Sequence, residues 1–315
     1  PTVELDHPFR EESETELSLQ GIEPRLNTPY IQYWRVSFEN ALARNWNFEA
    51  VYTGRKGTSM TRSIPGNVPP PGPGLIQDRR PNPDYGRFTI INDGGSFNGQ
   101  YLDVAATKRF ADGFSLRSGF GWDRVIDDAV WSDPNNPRDL RAERASASWV
   151  AQRRFFLNYI FDLPLASLLE TDGWTEMVLE GWRLSGITEI RDGRPFTITV
   201  PGDPNNDGVW GDRPNRIGSG LLSGSQRSID QWFNTADFTA PPDYGFGNSG
   251  RSILKAPGFQ AWDISLIKQT RFNDGDLVEF RVEFFNAFNQ VNFFRPNAGY
   301  GTSSFGKIFG ADRAR

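Results

Sequence analysis

Cysteine is absent from the 315 residues, methionine occurs twice, and the single histidine is His7. Without thiols there is neither a disulfide framework nor a thiolate metal site. One histidine excludes His-clustered zinc and weighs against a Ser-His-Asp triad, so catalysis would have to rest on carboxylates, Lys, Tyr or a cofactor. Basic residues are not in excess either: 34 Lys+Arg stand against 39 Asp+Glu. The resulting net charge of -5 argues against binding through the phosphates of a polyanion, and no nucleic-acid partner is expected. No apolar run is long enough for a transmembrane helix. The mean hydropathy of -0.54 does not speak against transmembrane strands, because only alternate residues of such a strand meet lipid. No signal-peptide pattern opens the chain at Pro1, which is expected to be a segment of a longer precursor.

Aromatic residues are plentiful, at 14%, and apolar side chains recur with period two. Val278, Phe280, Val282 and Phe284 share one face of an extended segment, with Glu279, Arg281 and Glu283 on the other. The same alternation runs through Trp34, Val36 and Phe38; Leu102, Val104 and Ala106; and Phe114, Leu116, Phe120 and Trp122. It returns at Phe155, Leu157, Tyr159, Phe161 and Leu163, at Trp182, Leu184 and Ile190, and at Trp262, Ile264 and Leu266. With 46–53 these make eight strands, expected at 32–42, 46–53, 98–110, 114–122, 149–163, 179–191, 259–268 and 277–289.

Their connections alternate in length. Short turns are expected at 43–45, 111–113 and 273–276, with a somewhat longer one over 164–178. Long loops are expected at 54–96, 123–146, 200–258 and 290–304. Such alternation is what antiparallel strands produce when one sheet end faces the periplasm and the other the exterior. Asp192-Gly193 could form a hairpin turn, but a turn there would reverse every later strand, so it is taken as a rim kink leading into 195–200. After Phe288 the chain is outside, and 305–315 is too polar to descend, so a closing strand is expected to be absent. The fold class is therefore all-β: an antiparallel up-and-down transmembrane β-barrel segment, incomplete, with long extracellular loops. A soluble sandwich also alternates, but its strands usually run about five or six residues against roughly 9 to 11 for a spanning strand.

Several segments resemble the C-terminal barrel of TonB-dependent receptors of the Oar-like branch. The closest are Val51-Tyr52-Thr53-Gly54-Arg55-Lys56-Gly57-Thr58 and Arg109-Phe110-Ala111-Asp112-Gly113-Phe114-Ser115. Others are Gly181-Trp182-Arg183-Leu184-Ser185-Gly186-Ile187, Gly193-Arg194-Pro195-Phe196-Thr197, Gly211-Asp212-Arg213-Pro214-Asn215, Trp232-Phe233-Asn234-Thr235-Ala236 and Arg281-Val282-Glu283-Phe284-Phe285-Asn286-Ala287-Phe288-Asn289. They occur in the family's order over nearly the whole chain. The resemblance implies that 1–315 is part of one such barrel domain without its plug, in the bacterial outer membrane. Its implied partners are outer-membrane lipid, the plug domain of the same precursor and the TonB complex.

Candidate residues fall into three sets. Arg35, Asp103, Arg117, Arg154, Arg183, Glu189, Asp263, Glu279, Arg281 and Glu283 occupy the polar phase of the strands and would line a barrel interior, where opposite charges pair across strands. Trp210, Trp232, Tyr244, Phe246 and Tyr300 lie in expected loops and are candidates for ligand contact. Asp203-Pro204-Asn205-Asn206-Asp207-Gly208 repeats the start of a calcium loop; the twelfth position is Pro214 rather than Glu, so Asp212 would have to substitute. A plain Asn/Asp/Gly turn is the alternative to possible Ca2+ over 203–212.

Residues 63–86 carry Pro65, Pro69, Pro70, Pro71, Pro73, Pro81 and Pro83 around Arg79-Arg80, which favours an exposed polyproline-type loop. Asp127-Asp128 and Glu170 with Asp172 are acidic pairs of the kind a glycosidase uses, but adjacent strand residues point to opposite faces. The function expected is TonB-dependent uptake of a large ligand, with no enzymatic step. The alternatives are a soluble all-β glycan-binding module or carboxylate glycosidase, and a structural or secretion-associated outer-membrane barrel.

Overall fold

The computed structural model describes residues 19–128, 134–169, 173–272 and 275–312. Its first strands are β1 (Gln20–Ile22), β2 (Tyr30–Ala43), β3 (Trp46–Gly66), β4 (Phe88–Ala111) and β5 (Phe114–Asp127). After the two-residue β6 (Ala145–Ser146) come β7 (Arg153–Leu163), the short helices α1 (Leu165–Leu168) and α2 (Gly173–Leu179), and β8 (Trp182–Arg191). Four two-residue strands follow: β9 (Pro195–Phe196), β10 (Asn215–Arg216), β11 (Phe238–Thr239) and β12 (Leu254–Lys255). The chain then returns through β13 (Phe259–Phe272) and β14 (Asp276–Phe284).

Eight long strands form one curved antiparallel wall in the order β14-β13-β8-β7-β5-β4-β3-β2. Neighbours in space are neighbours in sequence, as an up-and-down barrel requires, and the sheet is open with β2 and β14 as its edges. The tight turns all lie at one end. At the β4–β5 turn Asp112 (φ 54°) and Gly113 (φ 73°) both take the left-handed conformation that a two-residue hairpin in a twisted sheet needs.

Cross-strand pairing joins the apolar phases on a single face. Val36 is opposite Tyr52, Tyr52 opposite Leu102, and Leu102 opposite Trp122; Leu157 is opposite Thr188, and Thr188 opposite Trp262. This face is uncovered: Val36 is 66% exposed, Phe38 56% and Phe280 58%. In water such a surface would be untenable; against hydrocarbon it is the favourable arrangement.

The largest departure from the expected bounds is in β3 and β4. The loop expected at 54–96 is largely strand: β3 runs to Gly66 and β4 begins at Phe88, leaving 67–87 as the loop. At about 3.3 Å per residue these strands are far longer than a hydrocarbon core of about 30 Å demands. In these extensions the alternation lapses while the hydrogen-bond ladder continues to Gly66 and Phe88. Pro65 sits near the tip, paired with Thr89. The parallel strand β1 joins β4 there, and Asn27 donates its backbone and side-chain N–H groups to Asp93 at 2.7 Å.

Other bounds also move: β2 spans Tyr30–Ala43 rather than 32–42, β5 runs to Asp127 rather than 122 and so shortens the loop expected at 123–146, and β13 runs to Phe272 rather than 268. β7 starts at Arg153 rather than 149, and β14 stops at Phe284 because the left-handed Asn286 (φ 47°) turns the chain away. The connection over 164–178 holds α1 and α2, so β8 starts at Trp182 rather than 179. The 273–276 turn falls partly, and His7 wholly, outside the described residues.

The buried apolar core is in the loops. Phe196, Ile198, Phe233, Phe238 and Leu254 form a cluster against which Trp232, Ala298, Tyr300 and Phe305 pack.

Candidate functional site

The wall's second face is polar. Asp103 is opposite Gly121, and Gly121 opposite Arg154; Arg117 is opposite Asn158, Asn158 opposite Ile187, and Ile187 opposite Asp263. Glu189, Arg183, Glu279, Arg281, Glu283 and Arg35 share this phase of their strands. All ten charged residues singled out from sequence therefore lie on one face. A cavity of about 560 Å³ opens on it, lined among others by Arg117, Asn158, Asp263 and Glu283, which makes this the concave side.

Charges on this face pair along and across strands. Arg154 meets Asp103 at 2.5 Å and Asp123 at 3.8 Å, Arg183 meets Asp162 at 2.6 Å, and Arg281 lies between Glu279 (2.8 Å) and Glu283 (3.8 Å). Arg35 reaches Glu49 at 4.0 Å. Apart from Asp123, which is largely buried, the partners are about a third to a half exposed, and each of those pairs contributes no more than about 1 kcal/mol. They set a charge pattern rather than hold the sheet together.

At the end opposite the tight turns the long loops fold into a cap. Residues 285–312 dock on the β8–β13 connection through the Thr199–Ala298, Tyr300–Thr199 and Trp232–Gly306 backbone bonds. The proline-rich loop joins as well: Asn206 donates to the carbonyls of Gly72 and Gly74 at 2.8 and 2.9 Å, and Arg79 donates to Asn206 O. The exposed loop expected over 63–86 is thus partly docked, with Val68 and Pro69 buried.

Two ion pairs inside the cap were not anticipated. Arg213 pairs with Glu143, both almost wholly buried, and Arg251 pairs with Asp127 while donating to the carbonyl of Glu143 at 2.8 Å. Asn135 supports the first pair: its backbone N–H reaches Glu143 at 3.0 Å and its Oδ1 accepts from Arg213 N at 2.9 Å. Burial pulls the Arg213 guanidinium down from its ordinary range, and Glu143 opposes the shift. Periodicity carries no sign of such residues; Arg213 stood out only within the family-like Gly211 to Asn215 segment.

The five loop aromatics do not converge. Trp232 and Tyr300 pack on the core, the first donating Nε1–H to Lys255 O at 2.9 Å and the second standing 5.6 Å from Phe305. Trp210 is 72% exposed and Tyr244 46%, while Phe246 is half-buried.

Asp203, Asn205, Asp207 and Asp212 do come together, as a self-capped turn. Asp203 accepts from Asp207 N (3.0 Å) and Gly208 N (2.7 Å), and Asn205 donates to Asp212 at 2.6 Å. Oδ2 of Asp207 and Oδ2 of Asp212 are buried without a hydrogen-bond partner. Desolvation pushes Asp207 up to about 6 and Asp212 up to about 7, with the neighbouring carboxylates adding to both shifts. Among the described residues no group of three or more His, Cys, Asp or Glu side chains is placed to hold a metal ion.

Of the two acidic pairs, Asp127-Asp128 is engaged in structural contacts. Asp127 is tied to Arg251, and Asp128 accepts from Ser96 N and Oγ at 3.0 and 2.9 Å. Glu170 and Asp172 lie outside the described residues.

A family model described as an outer membrane beta barrel domain matches residues 2–315. No curated protein matches the sequence. Among solved structures, the outer membrane transporter YddB from Escherichia coli is similar at 9% identity and a TM-score of 0.46, over 92% of this chain and 32% of that one. The FrpB iron transporter from Neisseria meningitidis is similar at 10% identity and a TM-score of 0.43, over 92% and 31%. FpvA from P. aeruginosa, solved with heterologous pyoverdines, is similar at 11% identity and a TM-score of 0.42, over 90% and 26%. The chain spans about a third or less of each of these proteins.

Proposed function

Because the chain belongs to the outer membrane beta barrel domain family, and its wall accordingly stands in the bacterial outer membrane, we propose that it forms part of the barrel of a TonB-dependent receptor-transporter of the Oar-like type. The observation that carries this reading is the pairing of an apolar convex face with a charged concave face beneath a folded cap. The convex face suits lipid. The concave face, with charges left half exposed, suits a plug domain from the same precursor, and the cap suits capture of a ligand from outside, with Trp210 and Tyr244 as its exposed contacts. The ordered family-like segments quoted above support the Oar-like assignment. The barrel performs no chemistry in this scheme; the TonB complex supplies the energy.

The soluble alternatives fit poorly with a sheet whose apolar face is uncovered. A structural or secretion-associated barrel shares the wall and differs in lacking energy coupling. The test is to cross-link the full-length precursor to TonB in intact membranes while mapping surface accessibility by protease added outside the cell. Cleavage within 200–258 together with a TonB cross-link is the expected result. Cleavage without any TonB cross-link would replace the receptor reading by the structural one, and a precursor found outside the membrane fraction would remove both.

A further inference from the structure

The connection between β7 and β8 is longer than the other tight-end turns, and its apolar residues have helical rather than strand spacing. Leu165, Leu168 and Leu169 stand at i, i+3 and i+4 in and after α1, and Trp174, Met177 and Val178 do so in α2. These residues do not pack into a core. Trp174 is 76% exposed, Leu168 71% and Leu169 62%, with Met177 and Val178 also exposed.

The position of α2 is fixed by the wall's lipid side. Lys268 and Trp182 face each other across β13 and β8, in the same phase as Ile264 and Leu266 on the convex face. Lys268 Nζ donates to the carbonyls of Met177 and Glu180 at 2.8 and 2.5 Å, and Trp182 Nε1–H donates to the carbonyl of Val178 at 2.9 Å. A cation and an indole from the convex face thus close the C-terminal end of α2, where unpaired carbonyls need donors. Gly181 (φ 70°) makes the return into β8, and a side chain there would collide with the carbonyl of Gln269. The helix is therefore held outside the barrel wall, not under its lumen.

We propose that α1 and α2 form an interfacial anchor that lies in the periplasmic leaflet of the outer membrane, with Leu168, Leu169, Trp174, Met177 and Val178 entering the headgroup and upper acyl region. The occupant of this apolar surface is lipid because the surface joins the convex apolar band at its tight-turn end, through Lys268 and Trp182. Leu on one side of α1 and Trp, Met and Val on one side of α2 are what such an interface selects. The proposal rests on the outer-membrane placement of the wall, and its test keeps the two separate.

The experiment uses the full-length protein reconstituted in phosphatidylethanolamine and phosphatidylglycerol vesicles. A polarity-sensitive fluorophore is placed through Trp174→Cys or Met177→Cys, with Phe280→Cys as a wall control and Asp243→Cys as a loop control. The expected result is blue-shifted emission at 174 and 177 and a loss of emission with headgroup-labelled quencher lipids comparable to that at 280, while 243 responds only to aqueous iodide. Iodide quenching at 174 and 177 with none from lipid would overturn the anchor while 280 still reports a membrane wall. Shielding from both quenchers would also overturn it, in favour of a protein partner. Failure of lipid quenching at 280 would remove the wall placement itself.

Discussion

The wall and the cap use opposite rules for the same residue types. In the wall, Val36 and Phe280 point outward and uncovered, while the concave face carries charges; in the cap, Phe196 and Ile198 are sealed inside at 1% and 0% exposure. The wall is held by its backbone ladder and by lipid. The cap is held as soluble proteins are, by an apolar cluster, with buried ion pairs that must stay complete. Two solvents thus act on one chain, lipid on the convex face of the wall and water on the cap.

The sharpest way to separate the two regions is to break the buried pair in the cap. Glu143→Ala leaves Arg213 buried without its partner, at an expected cost of about 3–5 kcal/mol. Hydrogen exchange should show the cap opening while the barrel keeps its heat-modifiable mobility; a wall that unfolds with it would end the distinction. In the wall the asymmetry runs between faces. Val104→Arg on the convex face should cost about 2–4 kcal/mol at the midplane. Its neighbour Asp103→Asn on the concave face should cost less than about 1 kcal/mol, because its pair with Arg154 is half exposed. Folding titrations in detergent or vesicles measure both, and equal costs would mean that the faces are misassigned.

A smaller effect concerns pH and the buried carboxylates of the cap. Asp207 and Asp212 are raised to about 6 and about 7 when folded, against about 3.9 unfolded. The folded cap therefore binds more protons than the unfolded chain between these values, and the stability they contribute, full below about pH 4, is lost as pH rises through 6 and 7. Exchange protection over 200–258 should fall between pH 5 and pH 8, and Asp207→Asn with Asp212→Asn should flatten the dependence. Protection that rises with pH would contradict the assignment. The smallest expected effect is that of calcium: with the turn self-capped, a chelator should leave cap protection unchanged, and a clear loss would show that the turn holds an ion.

Legibility in the sequence followed the same division. The eight wall strands and the common phase of Arg35, Asp103, Arg154, Asp263 and the other charged candidates could be read because lipid enforces period two. The extension of β3 to Gly66 could not, since glycines and Pro65 interrupt the alternation where nothing demands it. The helices at 165–168 and 173–179 did carry a signal, the i, i+3, i+4 spacing of Leu165, Leu168 and Leu169, obscured by a segment only one or two turns long. The Arg213–Glu143 and Arg251–Asp127 pairs join residues 70 and 124 positions apart, and nothing in a single sequence marks such partners.

The tight hairpin turns also bear on the order of assembly. Across the turn at Asp112 and Gly113, Ala111 already pairs with Phe114, so β4 and β5 can zip from a nucleus that costs little loop entropy. β8 and β13 must instead find each other across the whole connection that becomes the cap. Local hairpins then form early and the β8–β13 seam late, so that the wall's slowest step waits on the ordering of its most soluble-like part.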